Sequence, residues 1–510
     1  MSESFDEIVP PLTGTARKRR RRRRTALVAV VVLVLAGAVW GGTTIMRSCG
    51  TPWSGVSVVD DDCIGVTDGS YEFHPELAHV QEKIAAENAR VREATSDYVT
   101  LVLVDPLTAT ARGGLPAEQV RNRLEGAYTA LRRVNTTAVA GDASPQIQLL
   151  LANQGTSEQQ WREVTEEIID LSTRDNPVVG VIGLGISAKH TQQQAAMLSR
   201  HGIPMVGAYL TADGFDYERI PGLVKTSPSN RHYVEALRQY LTAETDIDSA
   251  ILVRDSNSDA GLDLYTQTLE RQFQRQMADM LHFPTQQFAG SSLARTAEPN
   301  LFAGVRASIC AAAAEGLRAV LYAGREVDLA AFLDSLEQRT CYRLPLTILT
   351  AGLELGDVLR GSEDELADAN LTIISAATVD AEGWRANQDD PDTPEYYGDF
   401  RTAFEKHFHG DHLDDGGAIM MHDALLTAAS AIRLAAPEGA ASAPTARDVR
   451  AQLLNLNVLH EVQGGSGTLT FSKQERGTGV PVGKPVPVLR YPHPDESATR
   501  QVGSLYLVTN

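Results

Sequence analysis

From residue 98 onward the chain keeps one rhythm: a short apolar run, a turn, a longer stretch with apolar residues at helical spacing, then an apolar run again. Residues 98–104 (YVTLVLV), 146–151 (QIQLLL), 178–182 (VVGVI) and 203–206 predict strands, and 117–134, 158–172 and 190–200 predict the helices between them. Strands that are apolar throughout are covered on both faces, so the pattern implies a mostly parallel sheet with helices on both sides and right-handed crossovers. The rhythm then restarts. Helices are expected at 232–242, 261–277, 303–316 and 329–338, and strands near 282–288 and at 250–253, 319–322, 346–349 and 371–375. Two successive α/β halves predict two similar lobes, although no close internal repeat is visible. Helices at 393–407 and 421–435 follow, and a Gly-rich turn leads into β segments at 464–471, 486–491 and 504–508.

The beginning of the chain is of another kind. Residues 17–24 are all Arg or Lys, and 25–46 carry no charge and are dominated by Val, Leu and Ala. A helix needs about 20 apolar residues to cross a hydrocarbon core, and basic residues stay on the cytoplasmic side. This reads as a single-pass anchor in the cell membrane, with a cytoplasmic basic tail (1–24), a transmembrane helix (25–46) and an extracytoplasmic remainder. A cleaved signal peptide is one alternative, but its apolar core is shorter. A lipoprotein signal ending at Cys49 is another, and Arg47 argues against it.

The formal net charge is −19, which does not favour nucleic acid as a partner. Outside the membrane the four cysteines are expected to pair. Of the three possible connectivities, Cys49–Cys63 with Cys310–Cys341 closes two short local loops. Residues 47–75, rich in Gly, Pro and Ser with the run Asp60-Asp61-Asp62, read as a stalk or small appendage, and a helix is expected from Pro75 to about residue 92.

Five passages together resemble the type I periplasmic solute-binding proteins, the leucine/isoleucine/valine-receptor group. They are 99–108 (VTLVLVDPLT), 127–135 (AYTALRRVN), the pair 178–187 (VVGVIGLGIS) and 203–211 (IPMVGAYLT), 255–261 (DSNSDAG) and 464–472 (GGSGTLTFS). The resemblance spans about residues 98–506. It implies a clamshell of two Rossmann-like lobes joined by three crossings, with a first lobe of 98–230 plus 378–455, a second of 231–377 plus 456–510, and 47–97 as stalk. It also implies ligand contacts at Ser187, Ala208, Tyr209 and Thr211, the first and last at positions that receive the carboxylate of amino acids in that family. The second lobe departs from the family. Asp259-Ala260-Gly261 lacks the stacking tyrosine, Ala323-Gly324-Arg325 lacks an aromatic, and no acid stands at Thr350-Ala351-Gly352. Arg325 instead offers a positive charge to an anion.

Two other motifs compete. Gly183-x-Gly185-x-x-Ala188, with Asp213 downstream, formally fits a dinucleotide fingerprint. His407, His409, His412, His422 and Asp423 hold metal-ligand chemistry at loop-like spacing. No nucleophile–base set is evident. The expectation is therefore a binding protein, not an enzyme, with no cofactor. It would close on a small polar or anionic molecule, an amino acid among them, and serve an ABC permease. The alternative is a ligand-sensing receptor or adaptor acting through a membrane signalling partner, because a tail of 24 residues is too short to signal alone.

Overall fold

Strands form where apolar runs can be buried from both sides, and seven of them build the first sheet: β1 (Val56–Val59), β2 (Asp62–Thr67), β3 (Tyr98–Asp105), β4 (Gln146–Asn153), β5 (Val178–Gly183), β6 (Met205–Gly207) and β7 (Leu223–Lys225). The computed structural model describes residues 49, 55–60, 62–108, 115–156, 158–290, 300–353, 355–359, 362–436, 443–472, 478–493 and 502–507. The basic tail and the expected membrane helix 25–46 lie outside them. The sheet order is β1-β2-β4-β3-β5-β6-β7. β3 to β7 are parallel, and β2 runs antiparallel to β4 and to β1.

This corrects the stalk expected over 47–97. Asp62 accepts from the backbone N–H (2.9 Å) and hydroxyl (3.1 Å) of Thr156, just after β4, which helps hold β2 in the first sheet between β1 and β4. Leu77, Val80 and Ile84, on and just before the helix Ala78–Ala94, join the same core as Leu101 and Leu103 of β3. Residues 56–94 are therefore part of the first lobe.

The second sheet consists of β8 (Ala250–Asp255), β9 (Gln286–Phe288), β10 (Ala319–Ala323), β11 (Leu346–Ala351) and β12 (Leu371–Ala376), all parallel, in the order β9-β8-β10-β11-β12. A two-stranded hairpin, β13 (Val462–Gly464) and β14 (Gly467–Leu469), follows in the chain. β15 (Val486–Tyr491) returns antiparallel to the free edge of β12, and β16 (Ser504–Tyr506) pairs antiparallel with β15.

The chain passes between the lobes three times. It leaves the first sheet after Lys225 and enters the helix Asn230–Glu244, whose Tyr233 and Leu237 lie in the second-lobe core. It returns after β12, where Trp384, Tyr397 and Phe400 join the first-lobe core. The third passage differs from the boundary at 456. Val462, Leu469 and Phe471 are still in the first-lobe core, and Val486 is the next residue in the second. The Gly-rich hairpin buries its apolar residues against the helix side of the first sheet, so the crossing comes nearer 484.

The helix Gly417–Ala435 is long and apolar enough to span a membrane, but 83% of its apolar stretch is buried inside the protein. It is a core helix lying on the helix Ala117–Thr136. The approach is closest at Gly126, where a Cβ would stand 1.9 Å from the carbonyl oxygen of Ala418. Cys310 and Cys341 form a disulfide with Cα atoms 5.4 Å apart. Cys49 and Cys63 are likewise oxidised, and no described cysteine is free.

Two outcomes follow from this packing. Gly126→Ala should destabilise the fold by about 1–3 kcal/mol, because backbone rather than a flexible side chain must move; denaturant midpoints compared at constant slope measure it. Replacing Cys310 and Cys341 by Ser, which opens a loop with a sequence separation of 31, should cost about 3–4 kcal/mol by the same measurement.

Candidate functional site

In open parallel sheets, ligands meet the loops beyond the carboxyl ends of the strands. Asp105 ends β3. It is completely buried and lies 3.4 Å from Arg123 Nη1. Burial pushes its carboxyl up to about 6; Arg123 opposes this and the negative charge of Glu158 adds to it. Asp105 Oδ2 has no hydrogen-bond partner. Glu158 follows β4 in a left-handed conformation (φ 54°), uncommon outside glycine, with its Oε2 2.6 Å from His190 Nε2. The loop after β5 makes room for it. A Cβ on Gly185 would stand 2.0 Å from Glu158 Oε1, and Gly185 itself has φ 63°, so a larger residue there would be strained and would displace the carboxylate.

That loop continues to Ser187, which is 2% exposed. Its Oγ accepts from the backbone N–H of Ala212 (3.1 Å). Its carbonyl accepts from the N–H groups of Leu264 and Tyr265, each at 3.1 Å, and the N–H of Lys189 donates to the Leu262 carbonyl at 2.9 Å. Ala188 and Asp263 form an antiparallel bridge. The first-lobe loop is thus joined by backbone hydrogen bonds to the N-terminus of the second-lobe helix Leu264–Gln276, and the two lobes are shut on each other.

Ala208, Tyr209 and Thr211 lie on the loop after β6. Ala208 is fully buried; its N–H donates to the Gly183 carbonyl (3.2 Å). The Tyr209 ring lies under the Arg123 guanidinium, 4.0 Å from its centroid, and its hydroxyl donates to the Gly417 carbonyl. Thr211 is 6% exposed; its carbonyl accepts from the N–H of Asn230 (2.7 Å), the first residue of the second-lobe helix. Arg325 comes from the opposite wall, after β10. It forms a bidentate ion pair with Asp263, at 2.6 and 2.9 Å, with its guanidinium 5.3 Å from the Tyr265 ring. Burial works against its charge, but Asp263 outweighs burial and its pKa is raised.

Ser187 meets Leu264 and Tyr265 of the second lobe directly and Arg325 pairs with the neighbouring Asp263, whereas the Tyr209 side chain is engaged within the first lobe; the Ser187 hydroxyl and the Arg325 guanidinium already have protein partners. The sequence reading missed Asp263 and Tyr265, which bring an acid and an aromatic ring to the second-lobe wall a few residues beyond the aligned positions. It also missed Asp105 and Glu158. Asp105 ends the first strand motif and was visible there; Glu158 was read as the start of a helix that begins at Trp161.

The competing motifs take other roles. The carboxylate beside Gly185 would repel a pyrophosphate, and Asp213 accepts from the Arg231 N–H and from Gln272 Nε2. His412 bonds Glu125, His422 is buried on Asp423, and His407 packs on Tyr128. These histidines point to separate partners.

No family model matches the chain, and no curated protein matches it. Solved structures do. The chain is similar to an ABC transporter substrate-binding protein of Desulfitobacterium hafniense in complex with leucine (TM-score 0.56, 14% identity, 80% of this chain and 100% of that one). It is similar to a branched-chain amino acid transporter substrate-binding protein of Streptococcus pneumoniae in complex with isoleucine (0.54, 14%, 81% and 100%). A third is a solute-binding protein of Rhodopseudomonas palustris BisB5 in complex with 3,4-dihydroxybenzoic acid (0.54, 14%, 81% and 97%). The fold is that of the type I periplasmic binding proteins.

The Asp105 carboxyl gives a pH test. Its folded pKa, about 6, lies above the ordinary 3.8, so the folded protein keeps a proton that the unfolded chain has lost. Its contribution is therefore most favourable at low pH and declines as pH rises from about 4 to about 6. The Tm of Asp105→Asn minus that of the wild type should become more positive across that window; a difference that does not change with pH would contradict the assignment.

Proposed function

We propose that this chain is a membrane-anchored, extracytoplasmic solute-binding protein that closes on a small polar ligand between its lobes and serves an ABC transporter. The observation that carries the reading is the seam between residues 187–189 and 262–265. Opening it frees the N–H groups of Leu264 and Tyr265 at the positive end of a helix, where a polar or anionic group is favoured. Ser187, Ala208, Tyr209 and Thr211 form the first-lobe wall of that opening and Arg325 faces them from the second.

Closure follows if the ligand contacts both walls, since only differential affinity for the closed form shifts the population. The span 25–46 and the basic tail 17–24 support a tether with the lobes outside the cytoplasm, and a tether raises the local concentration of the lobes at a membrane partner. The site is one for binding rather than catalysis.

The test is a thermal-shift screen of the full chain against amino acids, short peptides, sugars and organic anions. At least one compound should raise Tm saturably, and about 2.7 kcal/mol of stabilisation is expected at 100 times its Kd. Ser187→Ala with Thr211→Ala should weaken that ligand at least about tenfold while both lobes still unfold cooperatively. A screen with no saturable response, or unchanged affinity in the double variant, overturns the assignment. A reporter fused at Asn510 that proves cytosolic overturns the topology.

A further inference from the structure

On the first-lobe side of the seam, four buried polar atoms have no hydrogen-bond partner: Asp105 Oδ2, Gln154 Nε2, Glu158 Oε1 and Gln194 Oε1. Asp105, Gln154 and Gln194 are completely buried, and Glu158 is 2% exposed. The backbone brings them together. Asp105 stands opposite Asn153 in the register of β3 on β4, and Gln154 is the next residue. Gln194, on the helix Lys189–Arg200, donates through Nε2 to Gln154 Oε1 (2.9 Å). His190, one turn earlier on the same helix face, lies 2.6 Å from Glu158 Oε2. Unpartnered buried atoms are few in a folded protein, and several in one place mark where another polar group completes the bonding.

The two carboxylates share one arrangement. Arg123 Nη1 meets Asp105 Oδ1 (3.4 Å) and His190 meets Glu158 Oε2, while the second oxygen of each acid receives no donor. The acids also act on each other. Burial raises the Asp105 carboxyl to about 6, Arg123 opposes this, and the charge of Glu158 adds to the rise. Glu158 is felt across the seam as well. Burial works against the charge of Arg325, Asp263 supports it most, and Glu158 adds support from the first lobe. Its free oxygen lies against the cleft loop, 2.0 Å from where a Cβ of Gly185 would stand. On the second-lobe wall, by contrast, Arg325 and Asp263 satisfy each other.

We propose that the solute of this cleft is recognised by a primary ammonium group, which enters the first lobe and donates to Asp105 Oδ2, Glu158 Oε1 and Gln194 Oε1. The inference rests on the solute-binding reading and gives the solute its class, an amine that needs no carboxylate. Three diverging N–H donors match three unpartnered acceptors. A water molecule brings fewer donors than there are oxygens and leaves the repulsion between the acids as it is, whereas a cation offsets it. No group of three or more His, Cys, Asp or Glu is spaced to hold a metal ion among the described residues. The Arg325–Asp263 pair stays intact in such a complex.

The experiment uses the full chain and leucinamide, a cation of the size of the leucine bound to a protein of this fold. N-acetylleucinamide removes the ammonium, isocaproate offers a carboxylate without an amine, and sodium, potassium and magnesium chloride at matched ionic strength report a metal cation. Leucinamide should raise Tm saturably and give a binding isotherm, and the other compounds should give neither. Glu158→Gln and Asp105→Asn should each weaken leucinamide about tenfold. If Glu158→Gln does not fold, Asp105→Asn and the acetylated probe decide. Absence of saturable leucinamide binding, an equal response to N-acetylleucinamide, isocaproate or a salt, or unchanged affinity in the folded variants overturns the proposal. If a sugar or organic anion of the wider screen binds through Ser187 and Thr211 while leucinamide does not, the amine class falls and the solute-binding reading stands.

Discussion

A single carboxylate fixes how the two lobes are strung together. Asp423 is completely buried on the core helix Gly417–Ala435. It accepts from the N–H groups of Gly465 (2.7 Å) and Ser466 (2.9 Å), from the Ser466 hydroxyl, and from His422 Nδ1 (2.9 Å). Burial alone would raise its pKa, but these donors and the Lys484 charge hold it below the ordinary value. Lys484 in turn donates to Ser466 Oγ (2.7 Å) and to the carbonyl of Thr226 (3.0 Å). Thr226 is on the first crossing and Lys484 sits at the third. Two of the three connections are thus tied, through one buried charge network, to one helix of the first lobe. Removing either charge would leave the other buried without its partner, which is costly by several kcal/mol.

With those crossings fixed, the seam at Ser187 is where closure can be reversible. Three backbone hydrogen bonds join residues 187–189 to 262–265. At about 0.5–1.5 kcal/mol net for each, they contribute on the order of 2–4 kcal/mol. A ligand present at 100 times its Kd would contribute about 2.7 kcal/mol. The seam is therefore strong enough to hold the lobes together and weak enough for a bound solute to govern whether they part. The Lys484 network, by contrast, is buried on every side and has no water to exchange into.

The lobes were legible because their strands are buried from both faces. Segments such as 98–104, 178–182 and 319–322 read as almost wholly apolar runs, and the helices between them keep a polar face. What escaped notice was whatever depends on distant pairing. β2 is short and polar at its start, and it joins the sheet between β1 and β4, where Asp62 meets Thr156, 94 residues away. The hairpin 462–469 carries too few apolar residues to declare which lobe it joins; Val462, Leu469 and Phe471 settle that by packing on the first. The site was legible in part for the same reason. Ser187 and Thr211 sit in recognisable strand–loop units, but no local pattern announces that the Ser187 hydroxyl is engaged by Ala212. Nor does any pattern show that Arg325 meets Asp263 across 62 positions of sequence.

The Arg325–Asp263 pair constrains what the cleft can accept. A simple anion gains Arg325 only by separating it from Asp263, which is 1% exposed and would be left as a buried charge without its counter-ion. A simple cation faces the mirror problem, since Asp263 is already neutralised. Two kinds of solute avoid the penalty. A neutral polar molecule leaves the pair intact and uses the N–H groups at the helix start. A dipolar one can offer a carboxylate to the guanidinium and an ammonium to Asp263, replacing each partner in kind. The pair thus turns the second-lobe wall from a site for one charge into a filter on charge balance, and it does so with residues displaced from the positions where the family pattern places its acid and aromatic. Selectivity in this cleft would then be set less by which charge the ligand carries than by whether its charges can be exchanged for those the protein already holds.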